Sequence, residues 1–190
     1  MNPKEYKILC IMGKAGAGKD TIMGEILNLF PEKFAPVVSF TSRPKRENEI
    51  DGINYHFISK SNFIEKIKNN SMIEWTCFNS WYYGTAQESF SKDKINICVC
   101  NPEGVRHFKK LGFDIMPIYI DVKDKTRLLR QLGREDNPNV AEIIRRYSAD
   151  EKDFENLEYE FKFENEDGTN LTELADYIVD QFADWANLDN

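Results

Sequence analysis

The chain has 190 residues, 41% hydrophobic and 13% aromatic, with a formal net charge of −7. This composition excludes a disordered chain and predicts one domain large enough to bury its own core. The acidic balance argues against a general nucleic-acid binder. No apolar run reaches the length of a signal or a membrane span, so a cytoplasmic protein with no membrane and no nucleic-acid partner is expected.

The first expected element is a strand over 6–12, with the apolar run Ile8-Leu9-Cys10-Ile11-Met12. Gly13 to Thr21 then reads GKAGAGKDT, and a helix over 20–30 follows with Ile22, Ile26 and Leu29 on one side. Strand, glycine-rich turn and helix make a P-loop: backbone N–H groups converge on phosphate oxygens at the positive end of the helix. The expected ATP cradle is therefore Gly13, Ala15, Gly16, Ala17, Gly18, Lys19, Asp20 and Thr21, with Lys19 reaching the β- and γ-phosphates. A glycine-rich turn that binds nothing is the alternative. The motif places Ser or Thr after the lysine to meet Mg²⁺. Here Asp20 stands there and is the candidate Mg²⁺ ligand.

Further strands are expected at 36–40, 95–100, 115–120 and 159–163, and helices at 102–111, 124–132, 139–157 and 171–186. Asn101 is a plausible N-cap, Pro102 suits a first helical position, and Gly112 follows the end. Leu171, Leu174, Ile178 and Phe182 give the last helix an apolar face. Strands alternating with helices predict an α/β fold, a parallel sheet core flanked by helices with ligands at the strands' carboxyl ends. That rule brings Val99 to Asn101 close to the P-loop.

Residues 39–93 interrupt the alternation. They are polar and aromatic, with strand-like pieces at 53–58 and 72–78 and a helix near 61–69. Residues 125–146 concentrate Arg127, Arg130, Arg134, Arg145 and Arg146 around Gly133 and the loop 135–138, which suits a helical lid over phosphates. Cys10, Cys77, Cys98 and Cys100 lack zinc-type spacing, although Cys98 and Cys100 share a strand face. Buried free thiols in a reducing compartment are expected.

Residues 39–57 read SFTSRPKRENEIDGINYHF, with Arg43, Lys45 and Arg46 packed into four positions, the arginines suited to bidentate phosphate contacts, and Tyr55 downstream. Alone, this stretch reads as a solvated basic loop beside a core aromatic. It is followed by Ile73-Glu74-Trp75 and Tyr82-Tyr83-Gly84-Thr85. With these motifs in order and at matching spacing, the chain resembles the guanylate kinase family from about residue 7 to about 183.

The resemblance implies a P-loop nucleoside monophosphate kinase fold in one domain, 1–190. Its core would be 1–38, 94–124 and 147–190, with a mixed α+β acceptor region at 39–93 and a lid at 125–146. It implies that Arg43, Arg46, Tyr55 and Tyr83 hold the acceptor monophosphate with Ser39 nearby, and that Glu74 and Thr85 read the base. Guanine offers N–H donors to a carboxylate and O6 to a hydroxyl, whereas adenine would leave Glu74 unpaired. On the donor side it implies Lys19, Arg130, Arg134, either Arg146 or Arg145, and Asn165 near the adenine ring. The catalytic set is Lys19, Arg43, Arg130, Arg134 and Arg146. The implied partners are ATP, Mg²⁺ and GMP or dGMP, on a monomer or homodimer.

Three departures stand out. The family's Asp-x-Asp pair is replaced by Val99 and Asn101, Asp20 adds a carboxylate in the P-loop, and Pro44 is shifted by one residue. Asp20 is expected to take over part of the Mg²⁺ positioning. Two other readings remain open here: a kinase of broader base preference, favoured by Val99 and Asn101, and a non-catalytic binding module.

Overall fold

The structure, a computed structural model, describes residues 2–187 apart from 48, 79 and 135. In chain order the first half holds β1 (Lys7–Met12), α1 (Lys19–Leu29), β2 (Phe34–Pro36), β3 (Phe40–Thr41), β4 (His56–Phe57), α2 (Lys60–Lys68), β5 (Met72–Phe78) and β6 (Trp81–Ala86). The second half holds β7 (Ile95–Val99), α3 (Pro102–Leu111), β8 (Asp114–Asp121), α4 (Asp124–Leu132), α5 (Val140–Asp153), β9 (Phe161–Glu164) and α6 (Leu171–Trp185).

β1 is a continuous apolar run because both of its faces are covered. It pairs in parallel with β7 on one side and β8 on the other, and the sheet order is β2-β7-β1-β8-β9. Leu9 and Ile11 point into a core shared with Ile22 and Ile26 of α1 and Ile178 and Phe182 of α6. Ile8, Cys10 and Met12 point the other way, against Val105 and Phe108 of α3 and Phe113 beyond it. Each fully buried aliphatic or aromatic side chain contributes about 1.5–3 kcal/mol, so the sheet is anchored from both sides.

The insertion builds its own sheet, ordered β4-β3-β6-β5, with β6 antiparallel to β3 and β5. Its small core is Phe40, Phe63 of α2 and Ala86, with the Tyr82 ring stacked 5.4 Å from Phe63. Ser59 caps α2 by accepting the Asn62 N–H.

Several expected boundaries move. The strand expected over 36–40 is two strands in two sheets: β2 edges the parallel sheet, and β3 belongs to the insertion. Pro36 is tolerated because β2 is an edge strand and a donor at 36 would face away from β7; after Val37 donates to the Ile97 carbonyl the chain leaves the sheet. The strand expected over 53–58 shrinks to β4, because Gly52 turns the chain with φ 77° and the Asp51 carboxylate takes the Phe57 N–H. α5 ends four residues before the expected 157, where Phe154 turns onto the Tyr119 ring. β6 had not been assigned as a strand. Among the described residues no helix is long and apolar enough to cross a membrane.

Candidate active site

The P-loop leaves β1 at Gly13 and enters α1 at Lys19. Two of its glycines are required by geometry. Gly16 and Gly18 both have φ of 85°. A Cβ on Gly16 would fall 2.6 Å from the Arg127 carbonyl, and one on Gly18 would fall 2.6 Å from Nδ2 of Asn165. Lys19 folds back on the loop, donating to the Lys14 carbonyl at 3.3 Å. Burial lowers its pKa from the ordinary value, and the nearby carboxylates of Asp20 and Asp150 oppose that shift. Asp20 and Thr21 are exposed in the first turn of α1.

The loop is braced from beneath and from the lid. Asn165, at the end of β9 and 5% exposed, donates to the Ala17 carbonyl at 2.9 Å. The Asp150 carboxylate on α5 accepts the Ala15 N–H at 2.6 Å, and Glu151 pairs with Lys14 at 2.6 Å. Between them lies Arg127 of α4, 1% exposed. It donates to Asp124 at 2.6 Å and to the Ala15 carbonyl at 3.3 Å, and it sits 3.5 Å from Asp150. Its guanidinium also covers the Tyr147 ring at 4.3 Å. In the sequence Arg127 counted only as one of five lid arginines. Its hub role was hidden because its partners are 23 and 112 residues away.

Arg130 and Arg134 line a cavity of about 340 Å³ with Gly16, Gly18, Thr21 and Asn165. Arg130 pairs there with Asp167 at 2.9 Å. Arg146 is placed elsewhere: it and Arg145 both pair with Glu142, at 2.9 and 2.7 Å. That leaves neither facing this cavity. Glu135, in the expected lid loop, lies outside the described residues.

On the insertion side, Ser39 and Thr85 share a hydrogen bond at 3.1 Å, and Thr85 faces Glu74 across the β5–β6 ladder. All three line a cavity of about 680 Å³ closed by Val99, Cys100 and Asn101. The Asn101 side chain accepts the Gly104 N–H at 2.9 Å as the N-cap of α3, while Val99 packs on the main core. Both residues thus have a structural partner and also line the cavity.

Arg43, Tyr55 and Tyr83 form a second cluster beside this cavity. The Tyr55 and Tyr83 rings are 6.2 Å apart, and the Arg43 guanidinium lies 5.8 Å from the Tyr55 ring. Burial raises the Tyr55 pKa. Arg43 is engaged by Glu49 at 2.7 and 3.0 Å, and Glu49 also accepts the Arg46 N–H at 2.8 Å. These contacts, led by Arg43, hold the Glu49 carboxyl at about 2. A phosphate with its oxygens in place of that carboxylate would meet the same donors.

The guanylate kinase family model matches residues 5–181. The chain belongs to the guanylate kinase family. A guanylate kinase of Mycoplasma genitalium is 30% identical over 93% of this chain and 76% of its own length. One of Helicobacter hepaticus is 33% identical over 66% of this chain and 64% of its own. The crystal structure of guanylate kinase from Anaplasma phagocytophilum superposes with a TM-score of 0.64 at 19% identity, covering 100% of this chain and 90% of that one. That likeness shows the fold: the P-loop nucleoside monophosphate kinase architecture expected from the sequence.

The cysteines correct an expectation. Cys10 and Cys100 are joined in a disulfide rather than free, because parallel pairing of β1 and β7 carries two distant cysteines to one place. Cys98 is a buried free thiol, pushed up to about 12 by burial, and Cys77 is exposed.

Proposed function

We propose that this protein is a guanylate kinase, moving the γ-phosphoryl group of ATP to the phosphate of GMP or dGMP and releasing ADP and the nucleoside diphosphate. The observation that carries the reading is that one chain holds both a braced P-loop with Lys19 and a cavity where Ser39, Thr85 and Glu74 converge. The binding-module reading lacks any such reason for an intact phosphate loop.

The acceptor oxygen is already anionic, so no general base is needed. The protein supplies in-line positioning and charge cancellation. The P-loop amides from Gly13 to Thr21 and Lys19 hold the donor phosphates, with Asn165 and Asp150 keeping the loop in shape. Arg43 exchanges Glu49 for the acceptor phosphate, with Arg46, Tyr55 and Tyr83 around it. Glu74 accepts from the guanine N1–H and 2-amino group, and the Ser39–Thr85 pair meets O6. Closure of the lid 125–146 moves Arg130 off Asp167, and Arg146 exchanges Glu142 for phosphate oxygens, so that both face the transferring group and exclude water.

Asp20 is an exposed oxygen donor at the mouth of the P-loop, which fits a hard cation that keeps most of its waters. Asp20 would hold Mg²⁺ together with the ATP phosphates, and the ion supplies neutralisation of phosphate charge when bound. The protein works in the cytoplasm on free nucleotides in this reading.

A coupled ADP-release assay with ATP, Mg²⁺ and each common NMP and dNMP tests it. Turnover confined to GMP and dGMP is expected. Turnover on another base would give the broader kinase reading, which Val99 and Asn101 favour. Folded protein that binds ATP and turns over no acceptor would overturn the kinase reading.

A further inference from the structure

Three sulfur atoms meet under the acceptor-side cavity. The disulfide joins Cys10 and Cys100 across 90 residues with their Cα atoms 6.6 Å apart, and the sulfurs of Cys10, Cys98 and Cys100 all lie within 4.8 Å of one another. Their access is unequal. Cys10 is fully buried, Cys98 is buried, and Cys100 is half-buried and lines the 680 Å³ cavity beside Ser39, Glu74 and Thr85. Cys98 lines the same cavity but is buried, so Cys100 is the more accessible of the two sulfurs there.

The reactivities are unequal as well. Cys100 immediately precedes Asn101, the N-cap of α3, so the positive end of that helix favours its thiolate. The Cys98 thiol is surrounded by apolar groups and stays protonated at neutral pH. Two of the three sulfurs are bonded to each other, which argues for exchange chemistry over ligation of a thiophilic ion.

We propose that Cys100 is a thiol–disulfide exchange site inside the acceptor pocket, that its co-reactant is a small-molecule disulfide, and that Cys10 is the resolving cysteine that clears the adduct. In the reduced chain the Cys100 thiolate attacks one sulfur of R–S–S–R. A Cys100–S–S–R bond forms, the R–S–S–R bond breaks, and RS⁻ leaves with the electron pair. The group R then occupies the cavity. Cys10, giving its proton to the released thiolate, attacks Sγ of Cys100. The Cys10–Cys100 bond forms, the mixed bond breaks, and the second RS⁻ leaves and is protonated from water. Two protein thiols are oxidised and one small disulfide is reduced to two thiols.

The second step reopens the pocket at little structural cost. β1 and β7 are already hydrogen-bonded neighbours, with Cys10 paired to Cys98 and the Cys100 N–H donating to the Ile11 carbonyl at 3.2 Å. A bond between them therefore ties strands that do not move apart. The device protects an active-site thiol from lasting blockage. Only its effect on GMP binding rests on the function proposed above.

The test uses the full chain, reduced and freed of reductant, then exposed to hydroxyethyl disulfide. Intact mass, peptide mapping and GMP calorimetry are the readouts. The parent protein is expected to end with a Cys10–Cys100 cross-link, no adduct at Cys100, and a GMP affinity within about twofold of the reduced form. Cys10→Ala is expected to keep the hydroxyethyl group on Cys100 and to lose about tenfold or more in GMP affinity, restored by reductant. Bound GMP should slow labelling of Cys100 and leave exposed Cys77 unaffected.

If Cys10→Ala does not fold, an acid-quenched time course on the parent replaces it, and an adduct at Cys100 should appear and then vanish. An unlabelled Cys100 in the folded variant, or a lasting adduct in the parent, overturns the proposal. If even the reduced parent does not bind GMP, the acceptor reading fails, while the mass readouts still decide the exchange chemistry.

Discussion

The P-loop side and the insertion side of the cleft use the same chemistry, carboxylates against arginines, in opposite settings. Beside the P-loop, Arg127 is 1% exposed and links α4, α5 and Ala15, residues more than a hundred positions apart. In the insertion, Arg43 meets Glu49 only six residues away, and both side chains are half-buried beside exposed loop residues. A buried pair that loses one partner leaves a charge with no water to take its place, so it holds shape. A half-buried pair that ligands can still reach can trade one anion for another, so it holds a place for a ligand. One side is built to stay and the other to exchange.

That contrast can be broken from either side. The largest effect is expected at the centre of the rigid side: Lys19→Ala should lower kcat by about 10³-fold while GMP binding by calorimetry stays close to the parent's, since the lost charge acts on the donor phosphates and not on the acceptor. Arg127→Leu should cost about 3 kcal/mol in urea unfolding because Asp150 loses its charge partner and the Ala15 carbonyl its donor. Arg127→Leu combined with Asp150→Ala should recover most of that loss. If the single variant is as stable as the parent, the hub is ornamental and the comparison collapses.

On the exchanging side, Glu74→Gln should reduce kcat/KM for GMP by about 10²-fold and narrow the gap between GMP and AMP, because the guanine N–H donors lose a charged partner. Glu49→Gln should act gently and in the opposite direction. It removes the carboxylate that competes for Arg43, so KM for GMP should fall about threefold while the melting temperature hardly moves. A rise in KM would show that Glu49 positions the loop instead.

The smallest effect is in pH. The folded Glu49 carboxyl sits at about 2, below its ordinary 4.5. Its contribution to the loop is therefore complete above 4.5 and disappears as pH falls toward about 2. Titration of the Arg43 guanidinium resonances by NMR should show no break of the pair between neutral pH and 4.5. Glu142 with Arg145 and Arg146 should behave likewise, since it too is held at about 2.

Much of this was legible before any coordinates. β1, the P-loop and α1 follow one another within 23 residues, so periodicity and glycine spacing suffice to place them. Asn101, Pro102 and Gly112 punctuate α3 where local capping chemistry demands. The family resemblance set Glu74 and Thr85 at the base and Ser39 near the acceptor phosphate, and all three line one cavity. It grouped Arg146 with Arg130 and Arg134; in the structure Arg146 pairs with Glu142, one helical turn before it, and lines a second, smaller cavity together with Arg134.

The amino-acid sequence by itself determined the parallel α/β core, the phosphate loop and the acceptor motif, because each is written in residues close together along the chain. Only the tertiary structure decided that Arg127 is a buried brace, that Glu49 occupies Arg43, that 36–40 divides between two sheets, and that Cys10 meets Cys100. The strand divides because its first half pairs with β7 and its second with β4 and β6, a choice of neighbour made in space. The others are pairings whose energies depend on burial and on which unsatisfied group lies nearest in space, and neither quantity is carried by spacing along a chain.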